Sequence, residues 1–381
     1  MRGLHLGFRS QHSVLVLVVA LLFVGASDPG MAASPFVHKR CSARERARFP
    51  EQREQAVVKG MAWMAAFLES EDNLRVLGTD APAIFLGGLT ARSATVRNLA
   101  LPLTRYEAGR VAPFYSESPL PTRNDLFEAL WLLSEAAVLQ IPTEPLLTHV
   151  SQLLKRLPTR ESIYALDLKH LDRVSGEDVY ALLIDSYIAD KAALAYPELP
   201  LTTFRLGKVL PFVLARDFIR YDDDRSEGHS EFEDDAYLAT HVAFVLSDYS
   251  RLRLSPEDLG PIYGYLRRQF ASAFRHGSVE MIAEFVDVFR TLGFDEQNDD
   301  MVCQGTRFLL QRQLPDGGWG GWVGTGEGDA YDNIHPTWVA VDALRDRTFL
   351  EGTPFANLIK SLGPLAPAEP EPGAGPKGST D

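Results

Sequence analysis

The chain has 381 residues, 45% of them hydrophobic, enough to bury one large core or two modest ones, which excludes a chain disordered throughout. A formal net charge of −13 argues against nucleic acid and anionic membrane surfaces as partners.

Arg2 and Arg9 precede an uninterrupted apolar run from Val14 to Val24, followed by Gly25, Ala26 and Ser27. This is the pattern of a secretory signal peptide, residues 1–26, cut after Ala26. The run is shorter than the roughly 20 residues a membrane span requires, and no later stretch approaches that length. The expected location is secreted or periplasmic, with no stable membrane span after cleavage; a retained N-terminal anchor is the alternative. Residues 27–49 read as a leader and residues 50–363 as one domain. Residues 364–381, rich in Pro, Gly, Ala and Glu, read as a disordered tail.

Within the domain, apolar residues recur at three- and four-residue steps, the period of a helix with one buried face. The pattern predicts helices over Glu54–Glu69, Asn124–Gln140, Glu144–Arg156, Asp178–Ala195, Thr202–Phe218, Ala239–Leu252, Pro256–Phe274, Val279–Leu292, Asp299–Gln313 and His335–Phe349. Between Asn73 and Arg123 the pattern weakens into a longer excursion, with a short helix hidden around Ala94 to Leu101. Alternating strand patterns are scarce, so the fold class is all-α. Cys41 and Cys303 either form one bridge, which would return the N-terminal segment to the last helices, or remain two buried thiols.

Two motifs stand out near the C-terminus. Gln313-Leu314-Pro315-Asp316-Gly317-Gly318-Trp319-Gly320 closes an apolar helix with a glycine turn and an aromatic ring, a helix-to-helix joint. Beyond it, Asp329-Ala330-Tyr331, His335, Asp342 and Arg345 repeat the spacing of Asp235-Ala236-Tyr237, His241, Asp248 and Arg251. Each copy is expected to begin in an acidic loop and to enter a helix near its His.

The Gln313 to Gly320 segment resembles the QW motif of the squalene cyclase and prenyltransferase β-subunit superfamily. That resemblance implies a single-domain α/α-toroid, an inner ring of helices nested in an outer one. Tyr331, His335, Trp338 and Asp342 are similar to the segment of prenyltransferase β subunits that supplies a zinc-binding His, which implies that His335 lies at the mouth of a central cavity. The likeness covers the last third of the chain. It departs from the family where chemistry begins: no Cys accompanies the His at an acidic loop, and Phe232 to Ala236 keeps only the last two acids of a terpene cyclase motif. The fold therefore carries over and the activity does not.

Histidines from two helices, with carboxylates beside them, suit a divalent metal such as Zn, Fe or Mn. The expected ligands are His241, His335, Asp235, Asp329, Asp332, Glu284 and Asp287; the last two lie three residues apart on one face of an apolar helix, where an unpaired carboxylate is costly. An open coordination position would activate water or oxygen, with Tyr237, Tyr331 or Glu284 as catalytic groups. Without a metal, the same acids and tyrosines would serve as general acid and base on a polysaccharide, or the toroid would be a binding scaffold. The substrate, small molecule or polymer, is not specified. The Asp248 with Arg251 and Asp342 with Arg345 pairs read as intrahelical ion pairs of small energetic value. His229 is a candidate for the cavity rim, and His149, His170 and His276 read as structural.

Overall fold

The computed structural model describes residues 40–116, 123–139, 141–156, 176–201, 206–224, 231–320 and 330–362. The signal segment, the tail, Asp329, His229 and His170 lie outside the described residues, as does the side chain of His276. The described chain is all-α: α1 Ala43–Leu68, α2 Glu71–Leu77, α3 Asp80–Leu86, α4 Ala94–Ser116, α5 Arg123–Leu139, α6 Glu144–Arg156, α7 Gly176–Ala195 and α8 Leu206–Leu214. It continues with α9 Glu231–Leu246, α10 Pro256–Leu259, α11 Pro261–His276, α12 Val279–Thr291, α13 Asp300–Arg312, α14 Ala330–Leu344 and α15 Pro354–Leu362. No strand occurs among the described residues; Ala91 and Arg347 make one isolated bridge. No described helix is long and apolar enough to cross a membrane.

The caps explain several boundaries. Ser42 and Glu45 form a capping box that starts α1, so this helix begins at Ala43 and carries Pro50 within it. The Ser278 hydroxyl accepts from the Met281 amide at 3.2 Å to start α12, and Asp299 accepts from the amides of Met301 and Val302 to start α13. From Asn73 to Ser116 the chain is more helical than its pattern suggests, because two prolines lie inside α4 and interrupt its apolar period. The helix expected to start at Ala239 starts at Glu231, so Asp235 belongs to a helix and not to a loop.

Packing joins distant parts of the chain. In succession α1 packs on α4, α4 on α5, α5 on α7, α7 on α9, α9 on α12 and α12 on α14, while α14 packs back on α1. Two fastenings hold the last helices to the region of α1. Cys41, just before α1, is disulfide-bonded to Cys303 of α13. The QW-like segment supplies the other: Gln313 Nε2 donates to the carbonyls of Ala56 and Gly317, both at 2.9 Å. Trp319 Nε1 donates to Leu309 O at 2.7 Å, and its amide donates to Thr337 Oγ1 at 2.8 Å. Its ring lies against Gly60 of α1, where a Cβ would sit 2.5 Å from Val341 and 2.9 Å from Trp319. Gly317 turns at φ +104, a region closed to residues with a Cβ. Helix α12 is buried on every side from Met281 to Thr291, so two of its three acids, Glu284 and Asp287, lie where an unpaired charge is costly.

Candidate acid–base site

Helices α7, α9, α12 and α14 bring Tyr180, His241, Glu284 and His335 together. Glu284 stands between the two histidines: its Oε2 lies 3.9 Å from His241 Nδ1 and its Oε1 lies 4.0 Å from His335 Nε2. Neither separation is a hydrogen bond. Oε2 meets Thr240 Oγ1 at 2.5 Å, whereas Oε1 is buried without a hydrogen-bonding partner among the described residues.

Both histidines have defined surroundings. The Tyr180 hydroxyl donates to His241 Nε2 at 2.9 Å, and His241 Nδ1–H donates to Tyr237 O at 2.8 Å, which fixes the neutral ring in one tautomer. Burial, with the like charge of His335, lowers its pKa to about 4, although the Tyr237 carbonyl opposes the shift. His335 Nδ1 lies 3.3 Å from Glu280 Oε1, and its ring stacks on Tyr331 at 4.8 Å. Burial pulls the His335 pKa down, but the hydrogen bond and charge of Glu280, with Glu284 and Asp80, outweigh it and raise the pKa. Tyr237 Oη donates to Glu280 Oε2 at 3.3 Å. Burial also holds the hydroxyls of Tyr180, Tyr237 and Tyr331 well above the ordinary phenol range.

Thr240 Oγ1 lies 2.8 Å from Tyr237 O and 2.5 Å from Glu284 Oε2 and has one proton to donate between them. Burial raises the Glu284 pKa to about 8, against the opposing effects of His335 and of the Thr240 hydroxyl, and so favours the protonated carboxyl at neutral pH.

The metal expected from His241, His335, Asp235, Asp332, Glu284 and Asp287 is a correction. No group of three or more His, Cys, Asp or Glu among the described residues is arranged to hold an ion. The donor set shows why. Both nitrogens of His241 are used by Tyr180 and Tyr237, leaving no lone pair for a metal. Asp235 accepts from the Ile219 amide at 2.7 Å and faces Arg216 at 3.6 Å. Asp287 pairs with Arg347 and accepts from Ser250 Oγ at 2.7 Å, one turn beyond Glu284. Asp332 is half-buried in the first turn of α14. No Zn, Fe or Mn chemistry is derived for this site.

Tyr180, Thr240 and Glu280 went unnoticed in the sequence, as did Asp80, whose charge acts on His335, Tyr180 and Tyr331. One signal was available for Glu280. His241 and His335 stand seven residues before an Asp-x2-Arg, and Glu280 does the same before Asp287 and Arg290. Three helices in packing succession, α9, α12 and α14, thus present His, Glu and His at one register.

At the other end of these helices the ionic residues form closed clusters. Arg251 donates to both oxygens of Glu135 at 2.7 Å and to Asp248 Oδ1 at 2.9 Å, and Lys191 pairs with Asp248 at 2.8 Å and with Glu135. Arg345 pairs with Asp342 at 2.8 Å and donates to Thr90 Oγ1 at 3.0 Å. Asp248 with Arg251 is therefore part of a buried network rather than a weak surface pair. Beside these clusters Trp131, Tyr249 and Trp338 line a small pocket with Ala83, Arg251 and Asp342. Trp338 connects it to the acid–base group, its ring edge-on to His335 at 5.8 Å.

No protein-family model, no curated protein and no solved structure matches the chain.

Proposed function

We propose that the protein is an exported α/α-toroid whose lumen carries a metal-free acid–base site, and that it acts on a carbohydrate with Glu284 as proton donor. The ring reading is supported by the packing succession that begins and ends at α1, and by the QW-like segment and the disulfide that fasten its two ends. Export is supported by the Arg2 to Ser27 pattern. The observation that carries the chemistry is the buried Glu284 carboxyl with one oxygen unpartnered among the described residues and a histidine on each side. A carboxyl whose pKa lies near 8 is an acid at neutral pH, which general acid catalysis requires.

A second reading, a binding scaffold without chemistry, is favoured by one feature: Glu284 is only 1% exposed. Glu284→Gln separates the two. Gln keeps the shape and the neutral charge but has no transferable proton, so the acid–base reading expects turnover to fall ~10²-fold or more while ligand binding persists. Unchanged turnover in a folded Glu284→Gln protein would remove Glu284 from the chemistry.

A further inference from the structure

We infer, resting on that acid–base reading, that His335 is a proton relay, carrying protons between the buried carboxyl of Glu284 and Glu280 so that Glu284 recharges without an opening of the fold. An acid that gives up its proton has to regain it before it acts again, and only 1% of the Glu284 side chain is exposed. On the Oε2 side the described contacts hold protons rather than pass them. Thr240 Oγ1 meets both Oε2 and the Tyr237 carbonyl, and His241 Nδ1–H donates to the same carbonyl, which accepts hydrogen bonds but carries no proton. His241 Nε2 is taken by the Tyr180 hydroxyl, which burial keeps well above the ordinary phenol range.

The Oε1 side is different. Oε1, without a hydrogen-bonding partner among the described residues, lies 4.0 Å from His335 Nε2, and the other ring nitrogen, Nδ1, lies 3.3 Å from Glu280 Oε1. Side-chain exposure rises along this line, from 1% at Glu284 to 13% at His335 and 25% at Glu280, so it leads from the core towards water. Glu280 and Glu284 stand one turn apart on α12, a spacing that one imidazole bridges. Stacking on Tyr331 and the edge-on contact with Trp338 place the ring, and Tyr237 Oη donating to Glu280 Oε2 at 3.3 Å holds the carboxylate whose Oε1 meets it. The 4.0 Å gap exceeds a hydrogen bond by about 1 Å. Catalytic hydrogen bonds are often long in the resting enzyme and tighten in use, and the relay needs the Glu284 carboxyl to turn by that amount.

Outward, the O–H bond at Glu284 Oε1 breaks as an N–H bond forms at Nε2, and the N–H bond at Nδ1 breaks as an O–H bond forms at Glu280 Oε1. The ring ends neutral with its proton moved from Nδ1 to Nε2, and Glu280 trades the arriving proton with water. Inward, the same bonds form in reverse, so no co-reactant is consumed. In passing, the ring holds both protons and is a cation between two carboxylates. Burial opposes that state, but the hydrogen bond and charge of Glu280, with the charges of Glu284 and of Asp80 from α3, outweigh it and raise the His335 pKa. The other titratable neighbours described, Tyr237 and His241 of α9, Tyr180 of α7 and Tyr331 of α14, stay neutral, since burial lifts the phenols and lowers the imidazole to about 4.

The test needs no substrate. The purified protein, disulfide intact, is mixed rapidly from H2O into D2O at pH 6, and infrared difference spectroscopy follows the carboxyl C=O band of Glu284, identified by its loss in Glu284→Gln, as deuterium replaces the proton. That pH lies below the Glu284 pKa of about 8, so the carboxyl stays protonated and exchange alone is read. His335→Gln and Glu280→Gln keep hydrogen-bonding groups but take up no proton. We expect each to slow the replacement by ~10²-fold or more, and to make its rate climb with urea below the unfolding transition, because exchange then waits on local opening. A structural role predicts the opposite sign, since a loosened site exchanges faster. An equal or faster rate in the variants, folded by circular dichroism, overturns the relay and leaves the acid–base reading standing. Absence of a Glu284 carboxyl band from the wild type at pH 6 overturns both.

Discussion

Replacing Glu284 with Gln should make the protein more resistant to unfolding at alkaline pH, although Glu284 is the group we assign to catalysis. The folded-state pKa is raised to about 8 from an ordinary 4.5, so the folded protein holds the proton more tightly than the unfolded chain. Stability is therefore greatest below the unfolded value, declines as pH rises from about 4.5, and levels off above about 8. At 1.36 kcal/mol per pH unit, the full loss is about 5 kcal/mol, of which about 4 kcal/mol falls between pH 5 and pH 9. Gln, neutral at every pH, has no such dependence and resembles the protonated acid in shape. Urea unfolding of both proteins at pH 5, 7 and 9, with the disulfide intact, measures the difference. The stability of Glu284→Gln relative to wild type should rise by about 4 kcal/mol across that range. A constant difference would mean that Glu284 is ionised in the folded protein, and the assignment of a buried acid would fail.

Thr240→Val removes the hydroxyl that lowers the Glu284 pKa, so the carboxyl should titrate at a higher pH, read by difference infrared spectroscopy against Glu284→Gln. Arg251→Met leaves Glu135 and Asp248 with Lys191 as their principal cation and should cost about 3–5 kcal/mol by chemical denaturation; a loss below ~1 kcal/mol would return the pair to the weak class first expected. Gly60→Ala drives a methyl into Val341 and Trp319 and should lower stability by about 1–3 kcal/mol with a fall in Tm. Cys41→Ser with Cys303→Ser opens a link spanning 262 residues and should cost about 4 kcal/mol, with equal stabilities refuting the bridge as an anchor.

The helical class was legible because apolar period alone identifies amphipathic helices, and the capped starts of α12 and α13 lie within about one residue of expectation, whereas α1 begins at Ala43 rather than Glu54. It failed where prolines broke the period, as in α4, and where a helix begins with acids, as in α9, whose first turn carries Glu231, Glu233 and Asp234. Acids at a helix start complement the helix dipole, so an acidic stretch before a His reads equally well as a loop. The bridge between Cys41 and Cys303 depended on whether α1 returns to α13, a tertiary fact that neither segment carries alone.

The site was half legible for the same reason. Spacing brought His241, His335 and Glu284 onto three helices that do meet, but coordination is decided by lone pairs, and those depend on neighbours from other helices. Tyr180 comes from α7, a helix without a histidine, and its hydroxyl turns His241 from a ligand into a hydrogen-bonded acceptor. Thr240, adjacent to His241, then hydrogen-bonds to Glu284 Oε2 at 2.5 Å. The seven-residue interval explains why polar residues are tolerated in so apolar a helix set. It is about two turns, or ~10 Å, so each of the three segments places His241, Glu280 or His335 at the acid–base end and an Asp-x2-Arg at the other, and α12 adds Glu284 between them. At the far end charge is cancelled by ion pairs, and at the near end by protonation of Glu284, neutrality of His241 and the pairing of His335 with Glu280. An acid kept neutral by burial gives up its proton when a substrate supplies the oxygen to receive it, whereas a paired one does not. That difference between the two ends is what assigns chemistry to Glu284 and structure to Asp248, Asp287 and Asp342.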